Sequence, residues 1–229
     1  MIFADRTEAG RLLARHLNSY ADREDVIVLG VPRGGIPVAF EVATALRVPF
    51  DIFVLRKLGV PGHEELAFGA IASGGVRILD RSTIGALGLT IRDIARVTKD
   101  EQRELERREH AYRGARPPLD VNGLTVILVD DGIATGSSMR AAIRALRQMN
   151  PAVLVLATPV APRATCDRLR AEVDELVCLE TPEPFYGVGQ FYDDFSQVSD
   201  EEVTRLLDRA SRQPLEQNYR GDAAGQNTR

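Results

Sequence analysis

The sequence predicts an α/β fold, a three-layer α/β/α arrangement with a central, mostly parallel sheet plus a small hood or flap. Two observations predict it. Apolar β-forming runs alternate along the chain with helical patterns, and two of these runs pass through a glycine-containing loop directly into a helix. The length of 229 residues suits one sizeable α/β domain, or one such domain with an elaborated flap.

Composition narrows the class of protein. The chain is 44% hydrophobic and 27% charged, which is ordinary for a globular protein, and its net charge of −4 argues against nonspecific nucleic-acid binding. Cys166 and Cys178 lack metal-type spacing and are expected to be reduced, as in a cytoplasmic protein. The start of the chain does not resemble a signal peptide, and no apolar run reaches membrane-spanning length, so no membrane partner is expected.

The first elements follow from hydrophobic periodicity. Thr7 is the expected N-cap of an amphipathic first helix. Arg56 and Lys57 are expected just after the third strand, at the edge where parallel sheets bind ligands, although solvated basic residues would give the same pattern. The predicted elements are a helix over residues 7–20, a strand over 26–31, a turn over 32–37, a helix over about 38–46 and a strand over 51–55.

An insert over about residues 58–118 is predicted to form a flap or a dimer contact, which makes a homodimer one expected assembly. Residues 59–69 are glycine-rich and predicted to be irregular, and a hairpin is expected around residues 73–75. His63, Glu64 and Glu65 suit either contacts at a closed site or a solvated loop. Residues 90–112 form a long helical pattern with oppositely charged residues at i,i+4 spacing, which is typical of an exposed helix.

The second half repeats the alternation and ends in a polar tail. Ser199 and Glu202 form a capping box that opens a helix to about Ala210, and residues 211–229 are predicted to be disordered beyond a single domain over 1–210. A hood is expected over about 181–200, where aromatic residues suit either stacking on a planar base or core packing. The predicted strands span residues 126–129, 152–158 and 176–179, and the predicted helices follow at 139–149 and 163–173.

The most informative stretch is the strand over 126–129 and the loop that follows it. Asp130 and Asp131 end the strand, and a run of small and hydroxyl residues then leads into a helix. Backbone N–H groups at such a helix start bind phosphate, and neighbouring carboxylates suit a pair of ribose hydroxyls. The loop and its helix start are Gly132, Ala134, Thr135, Gly136, Ser137 and Ser138. An ordinary strand–helix turn with surface acids is the alternative interpretation.

These residues resemble the phosphoribosyl-diphosphate signature of type I phosphoribosyltransferases, and nearly every position of the signature matches. The resemblance makes the Arg33-Gly34-Gly35 turn the diphosphate loop, although alone such a sequence is usually just a turn. In that family this loop often contains a strained or cis non-proline peptide, so an unusual peptide is expected near Arg33 and Gly34.

The resemblance implies transfer of a 5-phosphoribosyl group from phosphoribosyl diphosphate to a nitrogen of a planar base, with release of diphosphate. Asp130 and Asp131 would position the ribose hydroxyls, and residues 134–138 would grip the 5-phosphate. Arg33, Gly34 and Lys57 would stabilise the diphosphate. Mg²⁺ would bridge diphosphate and ribose oxygens and keep several waters, without a dedicated set of protein ligands.

One departure from the family bears on the acceptor. Hypoxanthine–guanine-type members carry an acid just before Thr-Gly, where this chain has Ala134. A hypoxanthine or guanine acceptor is therefore less favoured, and adenine- or orotate-type members are the closer match. A regulator that binds phosphoribosyl diphosphate or a nucleotide without catalysis remains the main alternative. A protein-interaction module that uses the charged helix over residues 90–112 is another.

Overall fold

The structure, a computed structural model, describes residues 2–114 and 116–212, apart from the side chains of Glu64 and Glu65. Of the tail predicted over residues 211–229, the part beyond residue 212 lies outside this description, as do the roles considered for those two glutamates. The strands are β1 (Val26–Gly30), β2 (Phe50–Ile52), β3 (Leu55–Val60), β4 (His63–Ala72), β5 (Val76–Leu79), β6 (Thr125–Val129), β7 (Val153–Val160) and β8 (Glu175–Glu180). The α-helices are α1 (Arg6–His16), α2 (Gly35–Leu46), α3 (Arg81–Ala86), α4 (Ile91–Arg113), α5 (Ser137–Gln148), α6 (Arg163–Arg170) and α7 (Asp200–Arg212).

A five-stranded parallel sheet with the order β2-β1-β6-β7-β8 forms the middle layer, as the sequence predicts. Its strands are apolar on both faces because helices cover both. Ile127 and Val129 pack with α1, α2 and α7, whereas Val126 and Leu128 pack with α5 and α6. The three-layer α/β/α prediction is therefore confirmed.

A second sheet of β3, β4 and β5 is antiparallel and belongs to the insert. It corrects two expectations. The strand predicted over residues 51–55 is β2, which ends at Ile52. Arg56 and Lys57 therefore lie within β3 of the small sheet rather than in a loop after a core strand. Residues 59–69, expected to be irregular, complete β3 and form most of β4, with a turn at Gly62.

Several helix boundaries also differ from the expectation. Asp5, not Thr7, caps α1, because its carboxylate accepts the N–H of Glu8 at 2.8 Å. The long helix of the insert has the predicted start, since Thr90 and Asp93 form a reciprocal capping box. The last helix, expected to end at about Ala210, continues to Arg212. Within residues 2–114 and 116–212, none of the helices combines the length and apolar character that crossing a bilayer requires.

Candidate active site

The site lies where the order of the parallel strands reverses. β1 is paired to β2 on one side and to β6 on the other, with Gly30 level with Val129. The loops that leave β1 and β6 therefore diverge from neighbouring strand ends and leave a crevice between them, which is where open α/β sheets bind ligands. Both glycine-containing loops singled out in the sequence open onto this crevice.

The loop after β6 has the shape that binding of a phosphate requires. Gly136 has a φ of +79°, a conformation that side chains disfavour, and α5 begins at the next residue. The N-cap residue, Gly136, has no side chain to cap α5, and the N–H of Ser137 makes only a long contact of 3.4 Å with the hydroxyl of Thr135, so the start of α5 can accept an anion. The hydroxyls of Thr135 and Ser137 lie 3.1 Å apart beside them. From behind, the hydroxyl of Thr165 donates to the carbonyl of Ala134 at 2.9 Å and supports the loop.

The loop after β1 packs so closely on the acid pair that only glycine fits. A Cβ on Gly34 would lie 2.1 Å from Oδ2 of Asp131, and one on Gly35 would lie 2.8 Å from the carbonyl oxygen of Val129. The unusual peptide predicted near Arg33 and Gly34 is present one bond earlier, as a cis peptide between Pro32 and Arg33. Gly34 and Gly35 thus bring the two loops together at the end of the sheet.

The two carboxylates have different surroundings. Asp130 is half-buried, lines the open cleft and accepts the N–H of Asp131 through Oδ1 at 2.9 Å. The pKa of Asp130 is raised well above its ordinary value, mainly by burial and secondly by the charge of the neighbouring Asp131. Asp131 is only 8% exposed, and burial raises its pKa, while a hydrogen bond and charge from Arg6 act in the opposite direction.

Arg6 is the partner of Asp131 that the sequence analysis missed. Its Nε donates to Oδ2 of Asp131 at 2.8 Å, and both side chains are nearly buried, with 11% and 12% exposed. The hydroxyl of Tyr192 donates to the backbone carbonyl of Asp131 at 2.6 Å. These two residues are 125 and 61 positions from Asp131 along the chain, so no local motif identifies them.

A cleft of about 740 Å³ joins the acid pair to the insert. Lys57 lines it together with Asp130 and Ser138. Arg96 of α4 also lines it, although the sequence analysis did not single this residue out. Arg56 is in the wall of the cleft, where its guanidinium contacts Glu101 of α4 at 2.6 Å and ties the helix to the small sheet.

Of the predicted site residues, Lys57, Asp130 and Ser138 line this cleft, and the side chain of Arg33 points to another part of the molecule. Its guanidinium lies 3.7 Å from the carboxylate of Asp200 at the start of α7. Asp200 in turn accepts the hydroxyl of Tyr112 at 2.7 Å. The side chain of Arg33 therefore faces the junction of α4 and α7, whereas Lys57 lines the same cleft as Asp130.

The predicted hood packs against the second loop. A Cβ on Gly132 would lie 2.3 Å from Cγ1 of Val188, so the hood lies directly beside the acid pair. Phe191 is buried and its ring centroid lies 5.2 Å from that of Phe185, as the core-packing alternative predicts. Tyr186, in contrast, is 87% exposed.

The described residues contain no group of three or more His, Cys, Asp or Glu side chains that could hold a metal ion. A Mg²⁺ ion at this site would therefore take most of its oxygen ligands from substrate and water. The carboxylates that line the cleft are Asp130, at the end of β6, and Asp100 and Glu101 of α4. This arrangement fits a metal that arrives with its substrate.

Comparison with known proteins identifies close relatives. Residues 4–196 match the family described as phosphoribosyl transferase domain. A Mycobacterium tuberculosis protein whose name assigns it provisionally to the phosphoribosyl transferases is 44% identical over 211 residues, which are 92% of this chain and 47% of that protein. The chain thus spans about half the length of this curated relative.

Two further relatives cover different shares of the chain. The bifunctional protein PyrR of Listeria welshimeri is 32% identical over 120 residues, which are 48% of this chain and 63% of that protein. The crystal structure of TT1426 from Thermus thermophilus has a TM-score of 0.79 and 40% identity, and the match covers 90% of this chain and 98% of that chain.

Proposed function

Because the chain belongs to the type I phosphoribosyltransferase family, we propose that it transfers the 5-phosphoribosyl group of phosphoribosyl diphosphate to a ring nitrogen of a planar base. The observation that carries the proposal is the meeting of two loops at the reversal of strand order. One loop leads into the start of α5 through a glycine N-cap, and the other has two glycines against a carboxylate pair. A cleft whose lining includes Lys57 connects them to the insert.

Each part of the substrate has a matching part of the site. The N–H groups at the start of α5, with the hydroxyls of Thr135, Ser137 and Ser138, would bind the 5-phosphate. Asp130 and Asp131 would accept the ribose hydroxyls. Lys57 and the backbone of Gly34 and Gly35 would bind the diphosphate, with Arg33 joining once its contact with Asp200 is released.

The reaction breaks the bond between ribose C1 and the diphosphate oxygen, whose electron pair leaves with the diphosphate. A ring nitrogen of the base gives its lone pair to the same carbon, and the proton that this nitrogen carried is released to the diphosphate or to water. Positive charge develops on the ribose between these events, and fixed carboxylates beside it lower the energy of that state. The side chain of Lys57 would stabilise the charge that grows on the departing diphosphate.

A Mg²⁺ ion, when bound, supplies further neutralisation of the diphosphate charge, and Asp130 would offer it one hard oxygen ligand. The chain itself contributes the orientation of the sugar and the exclusion of water. The small sheet and α4, which form the far wall of the cleft, would enclose the diphosphate.

The acceptor base is expected on the hood side of the acid pair, near the contact of Gly132 with Val188. Ala134 offers no carboxylate to take a proton from a purine ring, which disfavours hypoxanthine and guanine. Tyr186, an exposed aromatic residue of the hood segment, would be the stacking surface for a planar base. These features favour acceptors of the adenine or orotate type.

The test is release of diphosphate from phosphoribosyl diphosphate and Mg²⁺ in the presence of a panel of purine and pyrimidine bases. We expect turnover with one base and a loss of about 100-fold or more in Asp131→Asn, since a charged contact to the reacting sugar is lost. Asp167→Asn changes an exposed carboxylate of α6 and should leave the rate unchanged. Equal rates in Asp131→Asn and the native protein would contradict the proposal.

A second candidate function is a sensor that binds phosphoribosyl diphosphate or a nucleotide without turnover. The observation that favours it is the contact of Arg33 with Asp200, which leaves one fewer cation on the diphosphate side of the cleft. Tight binding of phosphoribosyl diphosphate by calorimetry, with no diphosphate release for any base, would favour the sensor over the enzyme.

A further inference from the structure

Arg6 is held at three points besides its helix. Its Nε donates to Asp131 Oδ2 at 2.8 Å, and its Nη1 donates to the carbonyl of Ser196 at 2.8 Å. Its guanidinium carbon also lies 4.0 Å from the centre of the Phe195 ring, which is within cation–π distance. A planar guanidinium can make all three contacts at once, whereas an ammonium group cannot.

The chain before Arg6 is bound to the same hood segment. Phe3 donates its N–H to the carbonyl of Phe191 at 2.8 Å, and its carbonyl accepts the N–H of Asp193 at 2.9 Å. The N–H of Asp194 donates to the carbonyl of Ala4, also at 2.9 Å. The start of the chain therefore forms part of the hood and places Arg6 beside the acid pair.

The position of Asp131 depends on what surrounds it. Its Oδ2 lies where a Cβ of Gly34 would be, so the carboxylate is confined between the diphosphate loop and Arg6. The charged or titratable groups that face this pair are Asp130 from the same loop, and Tyr192 and Asp194 from the hood. Arg6 is the cation among them, and without it two neighbouring acids would share a buried space with no counter-charge.

We infer that Arg6 is a positioning residue for the ribose-binding site, a role that rests on the proposed function. It occupies Oδ2 of Asp131 and leaves Oδ1 as the oxygen that accepts a ribose hydroxyl. It also neutralises one of the two acids, so that a highly anionic sugar phosphate can approach them. The hood, through Ser196 and Phe195, thereby fixes the sugar-binding acid as well as the acceptor side of the site.

The test compares binding of phosphoribosyl diphosphate, with Mg²⁺, by calorimetric titration of the whole chain. Arg6→Met should weaken binding about 10- to 100-fold, the equivalent of losing a hydrogen bond to a charged group. Arg6→Lys keeps the charge but loses the fork, and should fall between the native protein and Arg6→Met. The matched control is Arg11→Met, which removes an arginine from the same helix whose ion pair with Glu41 is on the surface.

A double variant separates positioning from general damage. If Arg6 acts through Asp131, then Arg6→Met should add less than about threefold to the loss already caused by Asp131→Asn, because interacting residues are not additive. Multiplied losses would overturn the inference, as would native affinity in Arg6→Met. If neither Arg6 variant folds, as measured by thermal unfolding, Arg6 is a structural residue and the inference is also overturned.

Failure of the proposed function gives a different result. A native protein that does not bind phosphoribosyl diphosphate at all would contradict the proposed function itself, and the positioning role with it. A native protein that binds the compound while Arg6→Met binds it equally well would overturn only the role of Arg6. Binding without turnover still tests Arg6, because the measured quantity is affinity.

Discussion

Replacing Gly34 with alanine should damage the site through a single contact. The backbone of Gly34 has φ −60° and ψ −36°, a helical conformation that alanine adopts without strain. The added Cβ, however, would lie 2.1 Å from Oδ2 of Asp131 and 2.6 Å from its Cγ. Ordinary contact begins near 3.4 Å, so the carboxylate must move by more than 1 Å.

The size of the effect follows from that displacement. Overpacking of a close contact costs about 1–3 kcal/mol of unfolding free energy, which lowers the melting temperature of a domain of this size by about 2–12 °C. The movement also separates Asp131 from Arg6, whose Nε is 2.8 Å away. A lost hydrogen bond to a charged group should weaken binding of phosphoribosyl diphosphate roughly 10- to 100-fold.

Differential scanning calorimetry and isothermal titration measure the two effects on one sample. Gly85→Ala is the control, because Gly85 lies in α3 with nothing within 4 Å of the added Cβ. That variant should keep native affinity and gain up to about 1 kcal/mol of stability. Native melting temperature and native affinity in Gly34→Ala would refute the claim that the glycine loop and Asp131 are in direct contact.

Three further substitutions address other parts of the account. Lys57→Gln should lower the affinity for phosphoribosyl diphosphate about tenfold, because the charge of Lys57 lines the cleft. The control Lys99→Gln, on the exposed side of α4, should keep native affinity, and equal affinities in the two variants would remove Lys57 from the site. Gly132→Ala would bring a methyl group within 2.3 Å of Val188 in the hood, so steady-state kinetics should show a larger rise in KM for the acceptor than for phosphoribosyl diphosphate. An equal rise in the two KM values would contradict an acceptor site on the hood side. Arg113→Met should lower the free energy of unfolding, measured with denaturant, by about 3–5 kcal/mol, because it leaves the buried carboxylate of Asp51 without its ion-pair partner. Arg170→Met breaks an exposed ion pair and should cost less than about 1 kcal/mol, and similar costs in the two variants would contradict this difference in burial.

The fold could be predicted from sequence because its central strands are covered on both faces. Such strands have uninterrupted apolar sequences, as residues 126–129 do, and each is followed by a loop and a helix. In the small sheet, the hairpin predicted around residues 73–75 is formed by the end of β4 with β5, whereas β3 and the start of β4 were missed for the opposite reason. They belong to a small sheet with glycine and charged residues, and strand pairing rather than sequence periodicity determines their structure.

The residues of the candidate site likewise fall into those that local sequence predicts and those that it does not. The loops after β1 and β6 carry local signatures, so Gly34, Gly136 and the acid pair could be identified from neighbours in sequence. Arg6 and Arg96 could not, because each reaches the site only through folding of distant segments. Arg33 illustrates the limit of a local motif, since its loop lies where expected while its side chain contacts Asp200 on a distant helix.

The most direct test of the central claim is a crystal structure of the protein with phosphoribosyl diphosphate and Mg²⁺ bound. The account predicts the 5-phosphate on the N–H groups at the start of α5, the ribose hydroxyls against Asp130 and Asp131, and the diphosphate beside Lys57. Density for the compound in another cavity, such as the groove between α4 and α7, with the loop after β6 left empty, would contradict it.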